Sequence, residues 1–199
     1  MAGNRLGSRH DFGAIVLAAG HATRFGGGKM HALFRGEPLL HHAIRLARAA
    51  PVSRVVVVTR PGAAIGQWDG APPVTHITLA SDALSTTLRA GLAEFDGSGV
   101  DGAFVFLGDM PLVPRDMAAR LAAALGERYA ALPVVGERPG HPVLLSARAM
   151  ADALLLEGDA GAGRLLRARP DVLRLPCDDP GVLTDIDSRE DLVRVETER

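Results

Sequence analysis

The chain has 199 residues, 47% of them hydrophobic, and 22 basic residues nearly cancel 23 acidic ones, for a net charge of −1. That length buries a sizeable core, and a balanced charge offers neither a basic face for nucleic acid nor an acidic tail. Cys177 is the sole cysteine, which excludes an intramolecular disulfide and a cysteine-rich zinc site. Met1–Asp11 is polar, without the apolar stretch of a signal peptide. It is read as a disordered segment (residues 1–11) ahead of one domain over 12–199. No apolar run approaches the ~20 residues that span a bilayer. The expectation is a cytoplasmic protein acting on small molecules, with neither nucleic acid nor membrane as partner.

Short apolar runs alternate with helical patterns, which predicts an α/β fold: a mainly parallel central sheet with helices on both faces. Ala14–Ala18 reads as a first strand buried on both sides, followed by a glycine-rich loop and a helix over Pro38–Ala49. Arg54–Thr59 is a β-branched run fit for a central strand. Pro61–Pro73 reads as an irregular excursion and Val74–Leu79 as a third strand. Ser85–Glu94 is a predicted helix, with Ser85 or Thr86 as N-cap. Ala103–Leu107 is the next strand and Pro114–Leu125 the next helix. Tyr129–Val135 and Val143–Leu145 read as strands around a Gly/Pro loop, Gly136–Pro142. Helices are expected at Ala147–Leu156 and Gly163–Ala168, and a strand at Val172–Leu175. Ser188–Asp191 resembles a capping box that opens a final helix.

The loop after the first strand, Ala18-Ala19-Gly20-His21-Ala22-Thr23-Arg24-Phe25-Gly26-Gly27-Gly28-Lys29, is the most informative stretch. Glycines let amide groups approach phosphate oxygens closely, and Arg24 and Lys29 add two cations. A loop leaving the carboxyl end of the first strand is where α/β sheets bind ligands. A Walker A loop fails on Thr23 and Met30, and a dinucleotide fingerprint from Gly26 fails on His31. Gly108-Asp109-Met110-Pro111 places a carboxylate at the end of a second buried strand, facing the same crevice. Such a lone aspartate is a sensible first Mg²⁺ ligand or else a turn former. A second acid is offered by Asp185 or Asp187, which share one side of an extended segment. Asp187 also reads as a helix cap, and Asp185 as a solvated loop acid.

Together these residues resemble the MobA-like NTP transferases, closest to the molybdenum cofactor cytidylyltransferases. The resemblance covers nearly the whole chain after Asp11. It rests on Leu17–Gly20, Arg24–Gly26 and Lys29, on Ser85–Leu92, on Gly108–Pro111, on Gly140-His141-Pro142 and on Asp185–Asp187 followed by Glu190-Asp191-Leu192. It implies a Rossmann-like fold and transfer of CMP from CTP to molybdopterin cofactor with release of pyrophosphate. It implies Asp109 and Asp187 as ligands of Mg²⁺, and Lys29, Arg24 and Asp109 as the catalytic group. Leu17, Ala18, Ala19, Gly20, Arg24, Lys29, Ser85 and Gly108 would contact the nucleotide. Gly140, His141, Pro142, Gly158 and Asp159 would lie toward the acceptor, with a molybdoenzyme as recipient of the product. For His141 a structural role beside proline stays open. The family's Gly-Asp-x-Gly-Ala-Arg is here Gly158–Arg164 with the arginine displaced by one place, about 100° around a helix. Arg189 stands where a proline is usual. Leu-Ala-Ala-Gly goes with cytidylyl transfer within the family, and the methyl of Ala19 is worth only ~1–3 kcal/mol of base discrimination. Another NTP or small phosphorylated acceptor, a redox-repurposed member such as nicotine blue oxidoreductase, and a carrier that merely holds the pterin stay open as alternatives.

Overall fold

The computed structural model describes residues 10–20, 24–81, 83–156, 162–167 and 169–197. Most of the expected N-terminal segment, and the acceptor candidates Gly158 and Asp159, lie outside the described residues.

The elements in chain order are β1 (Phe12–Ala18), β2 (Leu33–Phe34), β3 (Glu37–Pro38), α1 (Leu39–Ala49), β4 (Val52–Thr59), β5 (Val74–Thr78), α2 (Leu84–Ala93) and β6 (Gly102–Leu107). Then follow α3 (Met117–Leu125), β7 (Ala130–Val135), β8 (Arg138–Pro139), β9 (Val143–Ser146), α4 (Ala147–Leu154), α5 (Ala162–Leu166), β10 (Val172–Pro176) and α6 (Arg189–Thr197). The main sheet runs β10-β7-β9-β6-β1-β4-β5, and β8 pairs with β7. The pairings β1–β4, β4–β5, β1–β6 and β7–β10 are parallel, whereas β9 is antiparallel to both β6 and β7.

Alternation along the central strands sorts side chains onto two faces. Ala14, Val16, Val55, Val57, Phe104 and Phe106 meet α1 and α3 through Leu40, Ile44, Met117 and Leu121. Ile15, Leu17, Val56, Val58 and Val105 meet α2 and α4 through Leu88, Leu92, Ala149 and Ala153. Helices therefore cover both faces, as the apolar runs without polar alternation require. Gly91 lets α2 settle onto the sheet: a Cβ there would lie 2.6 Å from Ile15 Cγ2.

The chain steps outward from β1 to β4 to β5, then returns past β1 to lay down β6. The order thus reverses between β1 and β6, and the loops leaving their carboxyl ends diverge over that gap. Two sequence expectations are corrected. The N-cap position of α2 is Ala83, not Ser85 or Thr86, and no side chain caps the helix from there. Pro114 opens a turn closed by the Met117 amide on its carbonyl (3.1 Å), so α3 begins three residues later than proposed.

Candidate active site

The glycine loop works because three successive glycines take left-handed backbone. Gly26, Gly27 and Gly28 have φ of 79°, 92° and 67°, a run that side-chain-bearing residues adopt only under strain. The loop ends in a short 3-10 turn, Lys29–His31, in which the Gly28 carbonyl accepts from the His31 and Ala32 amides (3.0 and 3.1 Å). Phe25 anchors the other side, buried with Phe34, Leu39, Ile186 and Val195. Held at both ends, the loop turns Lys29 inward, and its side chain is only 7% exposed.

Two further segments come to the same place. The Gly108 amide donates to the Leu17 carbonyl (2.9 Å), and a Cβ at 108 would lie 2.9 Å from Ala18 Cβ. That close approach brings Asp109 beside the first loop. From far along the chain, the Ile186 amide donates to the Asp109 carbonyl (3.0 Å) while the Ile186 side chain is fully buried. Asp187 is thereby set next to Asp109. The capping box is realised by its neighbours: the Asp191 amide donates to Ser188 Oγ (3.0 Å), and Ser188 donates back to Asp191 through its amide (3.0 Å) and its hydroxyl (2.8 Å). Ser188 does the capping, so the Asp187 carboxylate is left for the site.

Lys29 Nζ lies 2.7 Å from Asp109 Oδ2 and 2.8 Å from Asp187 Oδ1. Burial pulls the Lys29 ammonium down, but hydrogen bonds and opposite charge from Asp109 and Asp187 outweigh it and hold its pKa above the ordinary value. Arg24 stands at the rim, 82% exposed, with Nη1 3.9 Å from Asp187 Oδ2. Asp185 is exposed. Among the described residues no group of three or more His, Cys, Asp or Glu is poised for a metal. The two carboxylates from distant segments still form a hard-oxygen donor set suited to a magnesium-type ion, which takes one or two carboxylates and completes its shell with phosphate and water.

A cleft of about 940 Å³ opens beside this cluster. Its floor is apolar, formed by Leu17, Leu88, Val105, Leu107, Leu132 and Val143, and Arg164, Arg167 and Arg174 line it as well. Gly140 and His141 border it, stitched in place by the His141 amide on the Val182 carbonyl (2.8 Å) and the Gly140 amide on the Pro133 carbonyl (2.8 Å). A side chain at 140 would collide with the Val182 carbonyl, so glycine is needed there. Burial lowers the His141 pKa, against opposing contributions from the Val105 carbonyl and the charges of Asp109 and Asp185.

The structure therefore brings Arg24, Lys29, Asp109 and Asp187 together, and puts Leu17, Gly140 and His141 on the adjoining cleft. Ala18, Ala19, Gly108 and Pro142 are buried around it, while Gly20 is exposed. Ser85 is fully buried in the first turn of α2, and it is not among the residues that line the cleft. Arg164 does reach the cleft despite its shifted place in the sequence. Arg167 and Arg174 were missed; the i, i+3 spacing of Arg164 and Arg167 was the available signal. Phe25 was missed as the loop's anchor, although an aromatic residue set against three glycines pointed to it.

Cations and acids gathered over the point where a parallel sheet reverses its order describe a Rossmann-like, nucleotide-handling enzyme. Residues 14–182 match the MobA-like NTP transferase domain, and the chain belongs to that family of nucleotidyltransferases. The purine catabolism protein PucB of Bacillus subtilis is 29% identical over 194 residues, covering 90% of this chain and 94% of PucB. The 2-C-methyl-D-erythritol 4-phosphate cytidylyltransferase of Cereibacter sphaeroides is 33% identical over 131 residues. That match covers 61% of this chain and 57% of the relative. Among solved structures, Rv0371c of Mycobacterium tuberculosis H37Rv in complex with manganese superposes with a TM-score of 0.78 at 23% identity. It covers 94% of this chain and 98% of that one, a likeness of fold.

Proposed function

We propose that the chain transfers CMP from CTP to the terminal phosphate of molybdopterin cofactor, releasing pyrophosphate, with Mg²⁺ held by Asp109 and Asp187. The observation that carries the reading is the meeting of Lys29, Asp109 and Asp187, from three distant segments, over the β1/β6 gap. Bound there, the ion would supply Lewis-acid stabilisation of phosphate oxygens. Arg24 and Lys29 offset the charge that builds on the departing pyrophosphate. An acceptor phosphate oxygen forms a bond to the α-phosphorus as the bond from that phosphorus to the β-phosphate bridging oxygen breaks, its electron pair leaving with pyrophosphate.

A phosphate monoester, with a second pKa of about 6, is already mostly dianionic near neutrality. No general base is required. An apolar cleft floor suits a flat heterocycle better than a polyhydroxylated sugar, and three arginines suit its phosphate. The choice of CTP is supported by the resemblance at Leu17–Gly20 and by a cytidylyltransferase among the relatives. A molybdoenzyme is the proposed recipient of the product.

The test is a thermal-shift panel of the four NTPs with Mg²⁺. Ligand at 100 times its Kd adds about 2.7 kcal/mol. For a domain of this size that raises Tm by roughly 5–10 °C. CTP is expected to give the largest shift. A larger shift with GTP overturns the base assignment, and no shift with any NTP overturns the transferase reading.

A further inference from the structure

Lys29 occupies the space between the two acids. Its ammonium makes a charge-assisted hydrogen bond to each, at 2.7 Å to Asp109 and 2.8 Å to Asp187, from a side chain that is 7% exposed. Arg24, the other cation of the loop, stays at the rim, 3.9 Å from the other Asp187 oxygen. The oxygens that would hold a divalent ion are therefore already matched by a cation tethered to the chain itself. The lysine enters from a loop built of three left-handed glycines, anchored by Phe25 on one side and a 3-10 turn on the other.

We propose that Lys29 is a built-in competitor for the divalent ion, which Asp109 and Asp187 take up only together with a nucleotide. A free metal ion arriving alone must displace an ammonium that makes two charge-assisted contacts from a largely buried side chain, and the displaced ammonium gains no new anionic partner. A metal ion arriving with a triphosphate brings that partner: phosphate oxygens accept the same hydrogen bonds, so the lysine exchanges one pair of anions for another. Metal and nucleotide then bind with positive coupling, and by linkage each tightens the other by the same factor. This rests on the nucleotidyltransferase reading and adds an order of assembly to it. A purely structural lysine would behave in the opposite way, because removing it would let two like charges repel and would loosen the metal pair.

The experiment is Mn²⁺ binding to the full chain, followed by the electron paramagnetic resonance signal of the free ion. Wild type is compared with Lys29→Met, each with and without a CTP analogue whose α,β-bridging oxygen is replaced by methylene. Wild type is expected to bind Mn²⁺ weakly alone and about tenfold or more tightly with the analogue. Lys29→Met is expected to bind Mn²⁺ alone about tenfold more tightly than wild type, and the gain from the analogue collapses. Equal or weaker Mn²⁺ binding by folded Lys29→Met overturns the proposal while leaving the transferase reading intact. Should that variant fail to fold by circular dichroism, the wild-type pair of titrations decides: Mn²⁺ affinity unchanged by bound analogue overturns it. Failure of wild type to bind Mn²⁺ or the analogue under any condition removes both readings.

Discussion

Replacing Gly108 by alanine probes how the end of β6 sets Asp109 against the first loop. The backbone at Gly108 is outside the left-handed region, so alanine is conformationally allowed and only its Cβ matters. That atom would lie 2.9 Å from Ala18 Cβ, 3.0 Å from Met30 Sδ and 3.3 Å from the Leu17 carbonyl oxygen. Carbon atoms pack at about 3.5–4.0 Å, so the shortfall against Ala18 is roughly 0.6–1 Å. Met30 can swing aside, but Leu17 and Ala18 are held in β1 by pairing with β4. The β6 end must therefore retreat, carrying Asp109 with it. Overpacking of this kind costs about 1–3 kcal/mol. A displacement approaching 1 Å in a positioned group costs up to ~100-fold in rate. Urea denaturation should report a loss within that stability range with an unchanged m-value. Pyrophosphate release should fall about 10- to 100-fold in the variant while it remains folded. Full turnover with an unshifted urea midpoint would refute the idea that this close approach positions Asp109.

Asp109→Ala should abolish most turnover while leaving the fold intact by circular dichroism; near-normal turnover removes Asp109 from the metal pair. Ile186→Ala empties part of the cluster around Phe25 and loosens the link that seats Asp187. It should cost about 2–5 kcal/mol in urea denaturation and weaken nucleotide binding with it. Hydrogen bonds from Arg194 and then Ser188 lower the Asp191 pKa to about 2. A carboxylate depressed in the folded state contributes stability above its unfolded pKa of about 3.9 and loses it as pH falls toward 2. Acid titration of Asp191→Asn should show a shallower loss of stability between about pH 4 and pH 2 than wild type does.

The central strands were legible because β1, β4 and β6 are buried on both faces and carry long apolar runs. The glycine loop was legible because its residues are matched to one backbone conformation. What the sequence could not reveal lies in contacts between distant segments. The insertion of β9 antiparallel between β6 and β7 is invisible in Val143–Ser146, since a strand's composition does not encode its direction. The two-residue pair β2–β3 is too short for a periodic signal. Ser85 looked like a helix cap from its type alone, but packing drew it into the core and left Ala83 at the cap. Asp187 also read as a helix cap, and the Ser188–Asp191 hydrogen bonds give that capping role to Ser188 instead. Arg174 reaches the cleft from the edge strand β10, a placement that depends on sheet order rather than on local pattern.

Release of pyrophosphate from CTP and Mg²⁺ in the presence of molybdopterin cofactor is the direct measurement of the central claim. One pyrophosphate should appear for each CMP joined to the pterin phosphate, and both Asp187→Ala and omission of the divalent ion should suppress it. Release that persists undiminished in Asp187→Ala, or no release with any NTP and any phosphorylated acceptor, would contradict a nucleotidyl-transfer site built from Lys29, Asp109 and Asp187.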